Sequence, residues 1–167
     1  MNLNNADNEF IYIINHILKN EEFKALRNIE HHGVNRYDHS MKVAYYSYKV
    51  SKFLKLDYHK TARAGLLHDF FLSDEGRTTK DRIISTFVHP KKAVQNSIVH
   101  FNIDEKEVDI IKGHMFPVNY HVPKYAESWV VNLVDKTVSL KELSYKVGYK
   151  LSYSTNLFIL FLINYIR

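Results

Sequence analysis

The chain has 167 residues, 46% of them hydrophobic and 25% charged, which fits one globular unit with a buried core and excludes disordered and collagen-like classes. It has no cysteine, so disulfide frameworks, thiolate metal sites and cysteine nucleophiles are excluded, and 5 glycines and 3 prolines leave few turns for a barrel or sandwich of short strands. The net charge of +5 suggests an anionic partner. The lysines outnumber the arginines 17 to 6 and are scattered rather than blocked, which argues against a nucleic-acid surface.

Taken in chain order, the pattern is helical nearly throughout and predicts an all-α bundle of six or seven helices in a single domain over 1–167. Residues 10–18 and 23–29 form a short helical opening. Asp38 and Ser40 offer caps for a helix to about Leu56, with Val43, Tyr46, Val50 and Phe53/Leu54 on one face and His39 on the same inward stripe. Asp57 caps a helix over about 58–71, whose Ala62, Ala64 and Gly65 permit close neighbours and whose end carries His68 and Asp69. The polar stretch 73–79 reads as a loop, and a weak strand signal covers 83–88. Pro90 suits the first turn of a helix keeping Ala93, Val94, Ser97, Ile98 and Phe101 inside, with His89 just before it.

Asp104 and Glu107 resemble a capping box for a helix over 105–115, striped by Val108, Ile111 and His114/Met115 and closed by Pro117. Pro123 opens another helix, in which Val131, Asp135 and Val138 share one side. A last apolar helix over about 150–166 is a candidate dimer seam. Its longest apolar run, residues 157–163, is far short of the roughly 20 residues that span a bilayer. With no basic start or apolar stretch at the N-terminus, the sequence predicts a cytoplasmic protein with no membrane partner.

Six groups stand out by position. His39, His68, Asp69, His89, His114 and Asp135 fall at helix ends or on otherwise apolar stripes. One such histidine is usually a satisfied core residue, but a buried aspartate costs several kcal/mol, on the order of the penalty for any buried ion, unless it is paired or bound to metal. One shared cation site inside a bundle accounts for all six together. His16, His31, His32, His59 and His100 have polar or helical surroundings and read as ordinary; His121 lies in a loop that could border the site. Tyr45, Tyr46 and Tyr48 read as packing rather than a base-stacking platform, and Asp74 and Glu75 as solvated acids or, alternatively, a source of a general acid.

The order His39, His68-Asp69, His89, His114, Asp135, in the contexts Arg36-Tyr37-Asp38-His39-Ser40, Ala64-Gly65-Leu66-Leu67-His68-Asp69 and Val134-Asp135-Lys136, resembles the HD-domain superfamily of metal-dependent phosphohydrolases over about residues 32–142. The resemblance implies that His39, His68, Asp69 and Asp135 hold a divalent ion. His89 and His114 match the extra histidines of the two-metal branches, with Asp69 bridging two ions. The mixed imidazole and carboxylate set suits Fe, Mn, Co, Ni or Zn better than Mg.

Such a pair of cations would lower the pKa of a bridging water and clamp a phosphoryl oxygen. Asp69 would then orient the hydroxide for attack on phosphorus, and Arg36 and Lys136 are the candidate phosphate-binding cations. The expected substrate is a small phosphate ester or anhydride, a nucleotide or dinucleoside polyphosphate. The chain departs from many two-metal relatives in reading His68-Asp69-Phe70-Phe71-Leu72 where they carry His-Asp-Ile-Gly-Lys, and it lacks the diagnostic segment of cyclic-dinucleotide phosphodiesterases. A non-catalytic sensor that keeps the metal and a di-iron oxygenase are the competing readings.

Overall fold

Asp7, Asn20, Asn35, Asp57 and Asp104 each place a side-chain oxygen on a free N–H of a first helical turn. A computed structural model describes the backbone of residues 7–31, 34–72 and 79–165, and the side chains of 7–29, 34–72 and 87–149. Among the described residues the elements are α1 (Asn8–Leu18), α2 (Glu21–Ala25) with a 3-10 turn Leu26–Asn28, α3 (Arg36–Phe53), α4 (Tyr58–Leu67), α5 (Thr79–Phe101), α6 (Glu105–Gly113) and α7 (Ala126–Tyr165). The fold is all-α. Its one β feature among these residues is a ladder of β1 (Glu30–His31) against antiparallel β2 (Val34–Asn35), which turns the chain into α3.

The close pair α3 and α4 sets the geometry of the rest. The fully buried residues of α3 include Ser40, Ala44, Ser47 and Ser51, and those of α4 include Thr61, Ala62 and Ala64, with Gly65 buried beside them. A Cβ on Gly65 would lie 3.3 Å from the Ala44 Cα and 3.7 Å from Val131 Cγ2, so the two backbones approach as closely as a glycine allows. This corrects the predicted inward face of α3. Val43 is buried, but Tyr46, Val50, Phe53 and Leu54 are 38–85% exposed, because a tight helix crossing selects small side chains over bulky ones. The apolar wall around the pair comes from Phe10, Ile14 and Ile17 of α1, Phe23, Leu66, Leu67, Phe70, Ile110 and Ile111.

Boundaries also differ from the prediction: α4 ends at Leu67 rather than near Phe71, and two others differ more. Pro90 lies inside α5 rather than at its start, so His89 is a mid-helix residue and 83–88 is helix, not strand. The proline removes one backbone hydrogen bond, but Ala93, Val94, Ser97 and Phe101 are buried beyond it and packing carries the helix through. Ile98, expected inside, is 54% exposed. The segments predicted as two helices, after Pro123 and over 150–166, are one continuous α7. The sole glycine between them, Gly148, meets open space, and its cost of roughly 1 kcal/mol is too small to end a helix. Asp74 and Glu75 fall outside the described residues, as do the side chains of the apolar run 157–163. No helix of the described residues is long and apolar enough to cross a membrane.

Gly65→Val should lower stability by about 1–3 kcal/mol through overpacking against Ala44. Gly65→Ala should lose less, because about 1 kcal/mol of helix propensity offsets the contact. Urea denaturation of both variants checks the order.

Candidate metal centre

Five elements deliver six donors to one place. His39 sits in the first turn of α3, His68 directly after α4 with Asp69 next, His89 mid-way along α5, His114 directly after α6, and Asp135 in α7. All six are at most 9% exposed. The carbonyl ends of α4 and α6 therefore point toward the cluster, and helix C-termini carry partial negative charge that favours cations.

The same local device orients two of the imidazoles. His68 Nδ1–H donates to the Gly65 carbonyl at 2.8 Å, and His114 Nδ1–H donates to the Ile111 carbonyl at 2.7 Å, each three residues back. These bonds fix the tautomer and leave each Nε2 as a lone pair. His68 Nε2 is buried and has no hydrogen-bond partner among the described residues. His114 Nε2 faces His89 Nε2 at 3.1 Å. Two ring nitrogens that close need a proton or a cation between them.

The carboxylates tie the rings into sets. Asp69 turns Oδ2 toward His68 Nε2 at 3.8 Å, and Oδ1 toward His89 Nε2 at 3.5 Å and His114 Nε2 at 3.7 Å. Asp135 Oδ1 lies 3.1 Å from His39 Nε2 and 3.7 Å from His68 Nε2. Three groups of donors each fall within 4.8 Å of one another: His39, His68 and Asp69; His68, His114 and Asp135; Asp69, His89 and His114. Buried lone pairs with fixed tautomers beside ionised carboxylates are the donor chemistry of a transition-metal site.

The electrostatics split the histidines. Burial pushes His114 down to about 4, so its ring is neutral near pH 7. Burial also works against a charged His39, but its hydrogen bonds to Asp135 and Glu142 outweigh that and raise it to about 9. Burial opposes ionisation of Asp135, yet the hydrogen bond from His39 and the positive charge of that ring hold its carboxyl below the usual range.

The two predicted phosphate-binding cations hold backbone. Arg36 is 3% exposed; its Nη1–H donates to the Phe71 carbonyl at 2.7 Å and its guanidinium lies 3.9 Å from the Phe71 ring centre. It is therefore not a surface cation but a brace on the segment that follows Asp69. The Phe71 ring also stacks on His89, 5.3 Å between centres at 24°. Lys136 Nζ donates to the Phe116 carbonyl at 2.6 Å and approaches that of His114 at 3.4 Å. Asn132, which the sequence did not single out, shares its Nδ2–H groups among the carbonyls of Gly113, His114 and Phe116 at 2.7–3.0 Å. Lys136 and Asn132 thus satisfy carbonyls that the end of α6 leaves without helical partners.

Glu142 is the other group that sequence inspection missed. It is 6% exposed on α7 and takes the His39 Nδ1–H at 2.9 Å. The available signal was its spacing, seven residues beyond Asp135 on the stripe that holds Val131 and Val138. His121 belongs to none of the three donor groups; its Nε2 pairs with Asp109 at 2.8 Å, where Lys124 N–H and the Ser128 hydroxyl also donate. His16 packs edge-on against Phe101, and His100 pairs with Glu22. Tyr48 is fully buried, with its hydroxyl on Asp7 and Glu9, as expected of a packing tyrosine.

The family model of the HD domain matches residues 36–140, more than half of the chain and the stretch that carries all six donors. No curated protein and no solved structure matches the chain.

Asn132→Leu should cost about 1–3 kcal/mol by leaving buried carbonyls after α6 without donors. Thr137→Ala, on the exposed side of the same helix, should stay within about 0.5 kcal/mol. Chemical denaturation of the two variants against the parent measures both.

Proposed function

We propose that this chain, which belongs to the HD-domain superfamily of metal-dependent phosphohydrolases, hydrolyses a phosphate ester or anhydride of a small substrate, a nucleotide or dinucleoside polyphosphate, with two divalent transition-metal ions. The observation that carries this reading is the division of Asp69. One of its oxygens faces His68, with which it and His39 form one donor group, and the other faces His89 and His114, with which it forms another. A carboxylate shared in this way is the natural bridge between two ions, and it gives His89 and His114 a purpose that a four-ligand single site would not require.

Bound there, divalent ions lower the pKa of a coordinated water and neutralise phosphoryl oxygens. The protein's own part is to hold donors still and hold a proton where it is needed. Asp69 would accept a hydrogen bond from the attacking water and aim it at phosphorus; as the water oxygen bonds to phosphorus the bond to the leaving oxygen would break, the water's proton passing to solvent and the leaving oxygen taking one from it. Arg36 and Lys136 keep the backbone after Asp69 and after His114 in register, and any contact they make with substrate phosphate adds to those bonds. Leu72, half exposed, stands where many two-metal relatives carry lysine.

Metal analysis of the purified protein should find about two transition-metal ions per chain, as a two-metal hydrolase requires. His89→Ala and His114→Ala should each move that content toward one and suppress phosphate release in a screen of nucleotides and dinucleoside polyphosphates. Asp69→Ala should deplete both ions. One ion per chain in the parent, unchanged by His89→Ala, would end the two-metal reading; two ions with no phosphate released from any phosphoester or anhydride would turn the assignment to a non-catalytic binding module.

A further inference from the structure

Within the metal-centre reading above, on which this inference rests, we propose that Glu142 is a positioning residue that fixes the His39 ring for metal binding. Both nitrogens of that ring are engaged from one helix. Asp135 of α7 faces Nε2 at 3.1 Å, and Glu142, two turns further along α7, accepts from Nδ1 at 2.9 Å. An ionised carboxylate can only accept, so the Nδ1 proton is assigned by its partner. Asp135 is likewise an acceptor, so the metal-free ring carries a proton on Nε2 as well, and it is this proton, not the one held by Glu142, that a cation at Nε2 would replace.

Glu142 is itself held. Its second oxygen, Oε1, takes a hydrogen bond from Lys42 Nζ at 2.7 Å, and Lys42 lies one turn beyond His39 on α3. The His39 and Glu142 side chains are 0% and 5% exposed, and Lys42 is 28% exposed. Placing a glutamate this deep is a poor stability device, because desolvation consumes much of what the ion pair returns. It is a good way to set a tautomer: a ring flip of His39 would break hydrogen bonds on both edges. Groups that bond the far nitrogen of a ligating histidine commonly change metal affinity 10–100-fold when removed. Glu142 lies two residues beyond the stretch 36–140 that matches the family.

The test is competition of the metal-free protein with a chromophoric chelator for Zn²⁺, which reads affinity without turnover. Glu142→Ala should weaken the site that includes His39 by about 10–100-fold and leave a second, His89-dependent site within a few-fold. Glu142→Gln, whose amide oxygen can still accept from Nδ1, should recover most of the loss and serves also if Glu142→Ala folds poorly. Unchanged Zn²⁺ affinity in both variants, with the parent binding Zn²⁺ normally, would overturn the inference and leave the metal centre standing. A parent that binds no Zn²⁺, Mn²⁺ or Fe²⁺ would overturn the metal centre itself, and this inference with it.

Discussion

Two aspartates share a buried cluster with four imidazoles, and the rest of the molecule is arranged so that this can persist. An isolated carboxylate moved from water to a protein interior loses several kcal/mol of solvation, on the usual scale for buried ions. Asp69 and Asp135 are 3% and 8% exposed, and ring nitrogens of the described residues face both of them. Imidazoles of fixed tautomer offer lone pairs as well as protons, so the same pocket that stabilises carboxylates can take up cations. His39, held toward the charged form between two carboxylates, and His114, held neutral by burial, show both behaviours within one cluster.

The helix packing serves this pocket directly. Gly65 lets α3 and α4 approach closely enough for Ala44 to touch its backbone, and the Gly65 carbonyl then orients His68. One residue therefore sets both an interhelical distance and a ligand tautomer. On the far side, α7 supplies Asn132, Asp135, Lys136 and Glu142 in little more than ten residues: two hold the carbonyls around His114 and two grip His39. Charged caps at the opposite ends of α4 and α6 stitch the bundle away from the site, with Lys60 on Asp104 and Lys106 on Glu127. Stability contacts and chemistry are thereby separated along the helix axes.

The donors were legible in the sequence because each is a polar residue in an apolar or helix-terminal context; Asp135 after Trp129–Val134 is the plainest case. The capping residues Asp57 and Asp104 were legible for the same local reason. The inward face of α3 was not, since hydrophobic periodicity points at Val43, Tyr46, Val50 and Phe53, whereas a close crossing buries Ser40, Ala44, Ser47 and Ser51. Pro90 inside α5 and the uninterrupted α7 were hidden because tertiary packing overrides local breakers of modest cost. Glu142 sits in a Lys-Glu-Leu run that resembles a solvated surface, and the bond of Arg36 to the Phe71 carbonyl has no local signature in the sequence.

Anomalous diffraction from crystals of the protein loaded with Mn²⁺ or Zn²⁺ tests the central claim most directly, since it places each ion without reference to activity. Two peaks are expected on either side of Asp69, one in reach of His39, His68 and Asp135, the other in reach of His89 and His114. No peak inside this cluster, or a single peak with His89 and His114 still in direct contact with each other, would contradict it.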